Sequence, residues 1–542
     1  MMISGNQNNI NLKNTITGTS LPGKIQEKDS SEKDTVAIGG ESFRQNDIIM
    51  PPDLRKININ KTLIDFANSL ETDKGQDSQG KEWTVMFYMD GANDLEPHMA
   101  KAMLDLEKVG SSDKINLVSQ IARLSQDELL KITAEKYKND AKALEEAKNH
   151  KTGIDGDWRG VRRYYITGNK DNESSSYSSK MVENLYLTDI SHPQTLSDFV
   201  TWGMKSYPAK HYMLVLMDHG SGWPGALSND FSGSDGQMMS TPSIEAALKS
   251  AEARAHKKLD IIHFDTCLMG SAEVAYQLKD SADYMIASEE VATSAALNYG
   301  SIIEKMDKIV RNTETTPKDI SRLIVNHFTK DNPDAFKTHA AIDLKEMEKV
   351  KTAMDEVIEA LNKTDTPMHI LKDVVKSVQS YGRMAPYHPF TDYRDLKDLA
   401  VTIQNDERIK DEKLKKTVKK LILTLNQAVI ALRPPATYVK EEVEKVEKSG
   451  RVTKTHVVVT EEEIGGGGLS IYLPLQESDT YKKFQEYYSQ LDMSQKSQWD
   501  EFLGKITSSP DQDTDKPAKA PEKYKVTLIP DMEAGNSSAM LT

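Results

Sequence analysis

A chain of 542 residues is too long for one hydrophobic core, and two globular domains with tails is the expectation. Its net charge of −14, from 69 Lys and Arg against 83 Asp and Glu, excludes nucleic acid as the main ligand, because neutralising phosphates needs a basic face. The single cysteine excludes an intrachain disulfide framework and any cysteine-rich zinc or iron–sulfur site.

In chain order, residues 1–80 are rich in Ser, Asn, Gly, Asp and Lys without a sustained apolar period. They read as a disordered leader with a short helix around Lys61 to Leu70. The first twenty residues lack the basic and apolar segments of a secretory signal, so the expectation is a cytoplasmic protein or one exported by another route. No run approaches the roughly 18 apolar residues of a membrane span.

Trp83 to Met89 reads as a buried strand, Asp90-Gly91 opens a loop, and a helix runs through Leu106. Ile115 to Ala122 is the next strand, followed by a polar, helix-like insertion from Ser125 to His150. Arg162 to Ile166 is a third strand, and a Ser-rich loop (Glu173 to Lys180) leads to a helix from Thr195 to Met204. His211 to Met217 forms a strand that ends on Asp218-His219-Gly220. A helix around Ser243 to Ala253 precedes the apolar run Ile261, Ile262, Phe264, which stops at Asp265 and Cys267. Leu268, Ala272, Ala275 and Leu278 then follow at helical spacing, so a helix is expected to start at the cysteine. Ala282 to Glu290 is a further strand. Strands alternating with helices in this way give an α/β fold, a mostly parallel sheet with helices on both faces. We assign that sheet to a domain at 81–365.

Beyond Gly300 helices are expected at Lys318 to Phe328, Leu344 to Leu361, Leu371 to Tyr381 and Asp395 to Leu432, with a strand at His339 to Leu344. A hairpin from about Thr437 to Thr460 and a glycine-loosened turn into a strand (Gly465 to Pro474) complete a smaller mixed α/β C-terminal domain, 366–507. The tetraglycine lacks the Lys-Ser/Thr of a phosphate loop. Residues 508–542 read as a disordered tail.

Reactive groups of such sheets collect at the carboxyl ends of the strands, where Asp90, His219, Cys267 and Glu289 fall. Without context a lone cysteine reads as an inert buried hydrophobe. Its place between a strand and a helix N-terminus, which favours thiolate, points instead to a nucleophile. His219 is the candidate base, and Gly220 can offer its backbone N–H to a substrate carbonyl. His263, in mid-strand, reads as a packed core residue, and His98, His339 and His388 are weaker candidates. Asp265 lies two residues before Cys267 and so on the same side of the strand. A partly buried carboxylate needs a partner, either local backbone N–H groups or a substrate cation, for which the planar Arg guanidinium is the best match.

Asp218-His219-Gly220-Ser221-Gly222-Trp223 followed by Phe264-Asp265-Thr266-Cys267-Leu268-Met269-Gly270 resembles the clostripain family of cysteine peptidases, which belongs with caspases, gingipains and legumains. Further matching pieces are Trp83 to Glu96, Arg162-Arg163-Tyr164-Tyr165, Pro208-Ala209-Lys210, Ala287-Ser288-Glu289-Glu290 and, more weakly, Gly468 to Tyr472. The resemblance implies a caspase-like sheet and a His219/Cys267 dyad. It also implies an oxyanion hole made by the N–H groups of Gly220 and Cys267, and an S1 pocket containing Asp265 that takes Arg or Lys. The expected partners are therefore protein or peptide substrates cut after Arg or Lys by a monomeric enzyme.

Two departures from the family pattern stand out. No Lys or Arg lies between Lys210 and Lys249, where self-cleavage would be expected, which leaves Lys142, Lys148, Lys151 or the tails as alternatives. The loop Leu297-Asn298-Tyr299 carries a neutral amide, Asn298, where relatives carry an acid in the substrate pocket. No cofactor is required; calcium is a possibility from the acids of the Asp230-to-Asp235 loop, which does not fit an EF-hand. Two other readings stay open, a catalytically silent caspase-like binding or effector module and cleavage after Asp, which conflicts with a carboxylate in the pocket.

Overall fold

The computed structural model describes residues 80–136, 145, 155–169, 176–229, 237–292, 298–328, 338–382, 392–433, 466–475 and 485–508, with the backbone of strands at 35–38, 41–44, 437–444, 453–460 and 527–529. Nine strands form the central sheet: β1 (Lys81–Gly91), β2 (Ile115–Arg123), β3 (Gly160–Tyr165), β4 (Lys180–Tyr186), β5 (Ala209–Met217), β6 (Leu259–Asp265), β7 (Ala282–Ala287), β8 (His339–Asp343) and β9 (Val429–Arg433). Their order across the sheet is β9-β8-β7-β6-β5-β1-β2-β3-β4. The five middle strands, β7 to β2, run parallel, and two antiparallel strands close each side.

The middle strands are mostly apolar because both of their faces are covered, with a few buried polar residues such as Ser119 and His263. In β1, Trp83, Val85, Phe87 and Met89 join one core layer, and Met86 and Tyr88 join the other. Three helices pack on the first face: α1 (Glu96–Glu107), α6 (Tyr299–Asn312) and α7 (Pro317–Phe328). The opposite face carries α3 (Pro193–Ser206), α4 (Thr241–Ala255) and the short α5 (Ala272–Gln277). The helix α2 (Gln126–Lys136) begins the insertion after β2. The starts of α3 and α4 are set by local chemistry, since His192 and Ser240 accept the first free N–H groups and a proline follows each.

Residues on both sides of position 365 build this second face. The side chains of α8 (Met347–Lys363), α9 (Met368–Ser377), α10 (Leu396–Asn405) and α11 (Glu412–Ala428) share one buried cluster with Leu214, Ile262 and Phe264. A three-stranded antiparallel sheet of Ser380–Tyr381, Tyr393–Asp395 and Ser470–Tyr472 sits beside the central one.

Several expectations change. The helical stretch expected over Asp395 to Leu432 is two helices, α10 and α11, that end at Ala428, and Val429–Arg433 becomes the edge strand β9; β-branched Val429 and Ile430 suit a strand. Lys180–Tyr186, not expected as a strand, is the opposite edge, where most side chains face solvent and no alternating pattern betrays it. The segment Thr35–Ile38 pairs with Glu41–Arg44, and Thr527–Ile529 pairs with Thr453–Thr460, within stretches expected to be disordered. The remaining residues of the leader and tail lie outside the described residues, as do the expected helix at 61–70, the candidate cleavage lysines 142, 148 and 151, His388 and residues 230–236.

Candidate active site

The site follows from the register of β5 and β6. These neighbours run parallel, and Met217 pairs with Asp265 at their carboxyl ends. His219 and Cys267 therefore stand the same two residues beyond the last paired position, on adjacent chains. Gly220 closes the distance further. A β-carbon there would lie 2.5 Å from the Cys267 carbonyl oxygen and 2.9 Å from the Thr266 side chain, so only glycine allows the two loops to touch.

The histidine loop is held from below by Asp218. That buried carboxylate accepts the side-chain N–H of Asn93 at 2.7 Å and the backbone N–H of Ser228. Burial pushes its carboxyl up to about 7, against the lowering effect of His219 and of these donors. On its outer side the loop turns through Gly222 (φ +78°), where a β-carbon would meet the Tyr393 hydroxyl at 2.0 Å. That hydroxyl accepts the Trp223 N–H at 2.9 Å and donates to the Ser221 carbonyl at 2.7 Å. Ser221 N–H to Gly225 O (2.9 Å) and Leu227 N–H to His219 O (3.2 Å) complete a small hairpin on either side of Gly220.

The His219 imidazole is about one-third exposed, and its Nε2 lies 2.9 Å from Oδ1 of Asp94, whose side chain is only 6% exposed. A carboxylate at that place fixes the ring's orientation. The Cys267 thiol is half-buried, with its Sγ 3.2 Å from the Ala292 N–H, which donates to it, and 3.6 Å from the Ala292 carbonyl.

The helix expected to start at Cys267 does not. Residues 266–268 form a bend with Leu268 at φ +64°, and α5 begins only at Ala272, capped by Ser271. Support for a thiolate comes from the Ala292 amide at this point rather than from a helix terminus.

Asp265 is half-buried at the end of β6, and its Oδ2 accepts the hydroxyl of buried Tyr299 at 3.1 Å. Asn298, placed in the substrate pocket on sequence grounds, is instead the cap of α6 and accepts the Ser301 N–H at 3.0 Å. Its neighbour Tyr299 makes the contact with Asp265.

Two other residues expected at the rim turn inward. Asp90 accepts the Ala92 N–H at 3.0 Å within its own turn. Glu289 is fully buried and accepts the Gly468 N–H at 3.2 Å and the Tyr381 hydroxyl at 3.4 Å. Burial, then the charge of Asp395, push the Glu289 carboxyl well above the usual carboxylate range. His263 is buried as expected, its Nε2 3.0 Å from that of His339.

Asp94, Tyr299 and Tyr393 are the residues that sequence reasoning missed. Asp94 alone left a signal, an acid in the loop at the carboxyl end of the central strand β1. Among the described residues no group of three or more His, Cys, Asp or Glu side chains is placed to hold a metal ion, and no helix is long and apolar enough to cross a membrane.

Comparison with known proteins gives a consistent result. A family model described as the clostripain family matches residues 166–506. Clostripain of Hathewaya histolytica is 24% identical over 472 residues, covering 77% of this chain and 78% of that protein. An inactive zymogen C11 protease of Parabacteroides distasonis superposes with a TM-score of 0.51 at 19% identity, over 78% of this chain and 99% of the other. A secreted C11 cysteine protease of Bacteroides thetaiotaomicron, solved with an irreversible peptide inhibitor, gives 0.52 at 17%, over 78% and 100%. These two likenesses establish a shared fold.

Proposed function

The chain belongs to the clostripain family of cysteine peptidases, and from that premise we propose that it is an endopeptidase cutting after Arg or Lys, with Cys267 as its nucleophile. The observation that carries this reading is the register of β5 and β6, which delivers one imidazole and one thiol to the same rim. As the Cys267 sulfur attacks the carbonyl carbon of the residue before the scissile bond, its proton passes to His219, and the negative charge gathers on the carbonyl oxygen. The N–H groups of Gly220 and Cys267 receive that oxyanion. Collapse of the intermediate breaks the C–N bond. The departing amine takes its proton from His219, held by Asp94 in a fixed orientation. Water then attacks the thioester, His219 accepts its proton, and the carboxylic acid product leaves with the thiol restored. Asp265 faces the substrate's cation, and a carboxylate there disfavours a substrate Asp.

Fluorogenic peptides ending in Arg, Lys, Asp or Asn test this reading with wild type and Cys267→Ala. The expected result is turnover of the Arg and Lys peptides, reduced at least 10⁴-fold (about the scale of nucleophile removal) in the variant. Turnover confined to Asp or Asn peptides, or equal turnover by the variant, would refute it.

A further inference from the structure

Tyr299 opens α6 immediately after its cap, Asn298. Its side chain is buried, with the ring edge-on to Phe87 at 5.3 Å between centroids and 6.1 Å from the His263 ring. The helix start, the Phe87 contact and the 3.1 Å hydrogen bond to Asp265 Oδ2 each restrain it separately. Burial and the neighbouring Asp265 charge raise its phenol well above the ordinary range, so the hydroxyl remains a donor across the working pH of the protein.

We propose that Tyr299 is a positioning residue that fixes the plane of the Asp265 carboxylate and so sets a preference for Arg over Lys in the substrate. The inference rests on the reading of Asp265 as the group that meets the substrate's cation. The terminal torsion of an aspartate is broad and does not by itself fix the carboxylate plane. A guanidinium needs that plane, because it binds a carboxylate through two parallel in-plane bonds. An ammonium is a point charge on a flexible stem and follows a carboxylate that turns. Removing the hydroxyl leaves the charge and loosens the hold on its plane, which penalises Arg more than Lys.

The test compares matched Arg and Lys peptides on wild type and Tyr299→Phe. We expect kcat/KM for Arg to fall about tenfold, in line with one lost hydrogen bond to a charged group, and that for Lys about twofold. The Arg-to-Lys ratio then drops about fivefold, carried mainly by KM. Alkylation of Cys267 by iodoacetamide, which has no cationic group to place, should keep its rate. In an Asp265→Asn background, adding Tyr299→Phe should leave the ratio where Asp265→Asn alone put it. Should Tyr299→Phe fail to fold, Phe87→Leu, which keeps the hydroxyl but loosens the ring, should move the ratio in the same direction by less. An unchanged ratio in the folded variant, or an equal fall for both peptides, overturns the inference while leaving cleavage after Arg and Lys standing. A wild type that cuts after neither removes the reading of Asp265 and the inference with it.

Discussion

The two loops that carry His219 and Cys267 leave neighbouring strands in the same register, yet they are fastened in different ways. The histidine loop hangs on side chains: Asp218 beneath it, Asp94 on the ring and the Tyr393 hydroxyl around Gly222. The cysteine loop hangs on backbone, with Leu268 N–H to Glu290 O at 3.3 Å, Gly270 N–H to Ser288 O at 2.7 Å and Ser470 N–H to Gly270 O at 2.9 Å. Apart from the Ser470 hydroxyl, which donates to the Gly270 carbonyl at 3.2 Å, its side-chain support is one step removed. Glu289 and Glu290, on the segment that receives those bonds, are anchored in the small sheet through Gly468, Tyr381 and Gly382. The comparison teaches that a backbone-bonded loop is hard to alter by substitution, whereas a side-chain-bonded one is open to change at single positions.

Tyr393→Phe should strike the histidine loop hardest. It strands a buried N–H on Trp223 and a buried carbonyl on Ser221, at a cost of about 3 kcal/mol, and turnover should fall with it. Denaturant unfolding and peptide hydrolysis measure the two effects. A stability loss with unchanged kcat would break the claim that this hydroxyl serves the histidine loop in particular.

On the cysteine side the handle is pH. Burial raises the Glu290 carboxyl from 4.5 to about 7, although it accepts the Val291 N–H at 2.7 Å and the Gly382 N–H at 3.0 Å. An acid with a raised folded-state pKa holds its proton more tightly when folded. Its presence therefore costs nothing below about pH 4.5 and most above about pH 7, and stability is lost as pH rises between them. Glu290→Gln, which keeps the acceptor, should gain about 3 kcal/mol on wild type between pH 4.5 and pH 8. Thermal melts at the two pH values check this. A constant gap between the two proteins would show that Glu290 is not the titrating group.

The smallest expected effect is that of Asp94→Asn. The ring keeps a hydrogen-bond partner, but the charged acceptor that orients it becomes a neutral amide. We expect kcat to fall about tenfold, ~1.4 kcal/mol, as the ring is held less firmly toward the reacting atoms, and peptide hydrolysis by the variant measures it. Labelling of Cys267 by iodoacetamide in the same variant sharpens the contrast, because the Ala292 amide beside the sulfur is untouched.

Much of this was legible in the sequence where composition and position coincide. The apolar runs of β1, β5 and β6 announce buried parallel strands, and those of β5 and β6 lead straight into the polar residues that build the rim. His219, Cys267 and Asp265 could be named because strand ends in such a sheet face one way. The hidden features depend on contacts across long separations. Tyr393 reaches Ser221 across 172 residues, and nothing in its neighbourhood distinguishes it from a core tyrosine. Asp90 and Glu289 misled because position along a strand does not show whether a side chain faces solvent or the backbone of another loop. The helix expected at Cys267 failed for a local reason: the apolar period of residues 268–278 is real, but Leu268 takes a left-handed conformation and Ser271 supplies a cap, which moves the start to Ala272.

The bond from the Ser470 hydroxyl to the Gly270 carbonyl spans 200 residues of chain. A polypeptide emerging from the ribosome thus displays its sulfur and imidazole long before it owns the clasp that steadies them. Synthesis itself imposes a delay, since the loop that carries the sulfur gains this clasp only after Ser470 has been made and folded back.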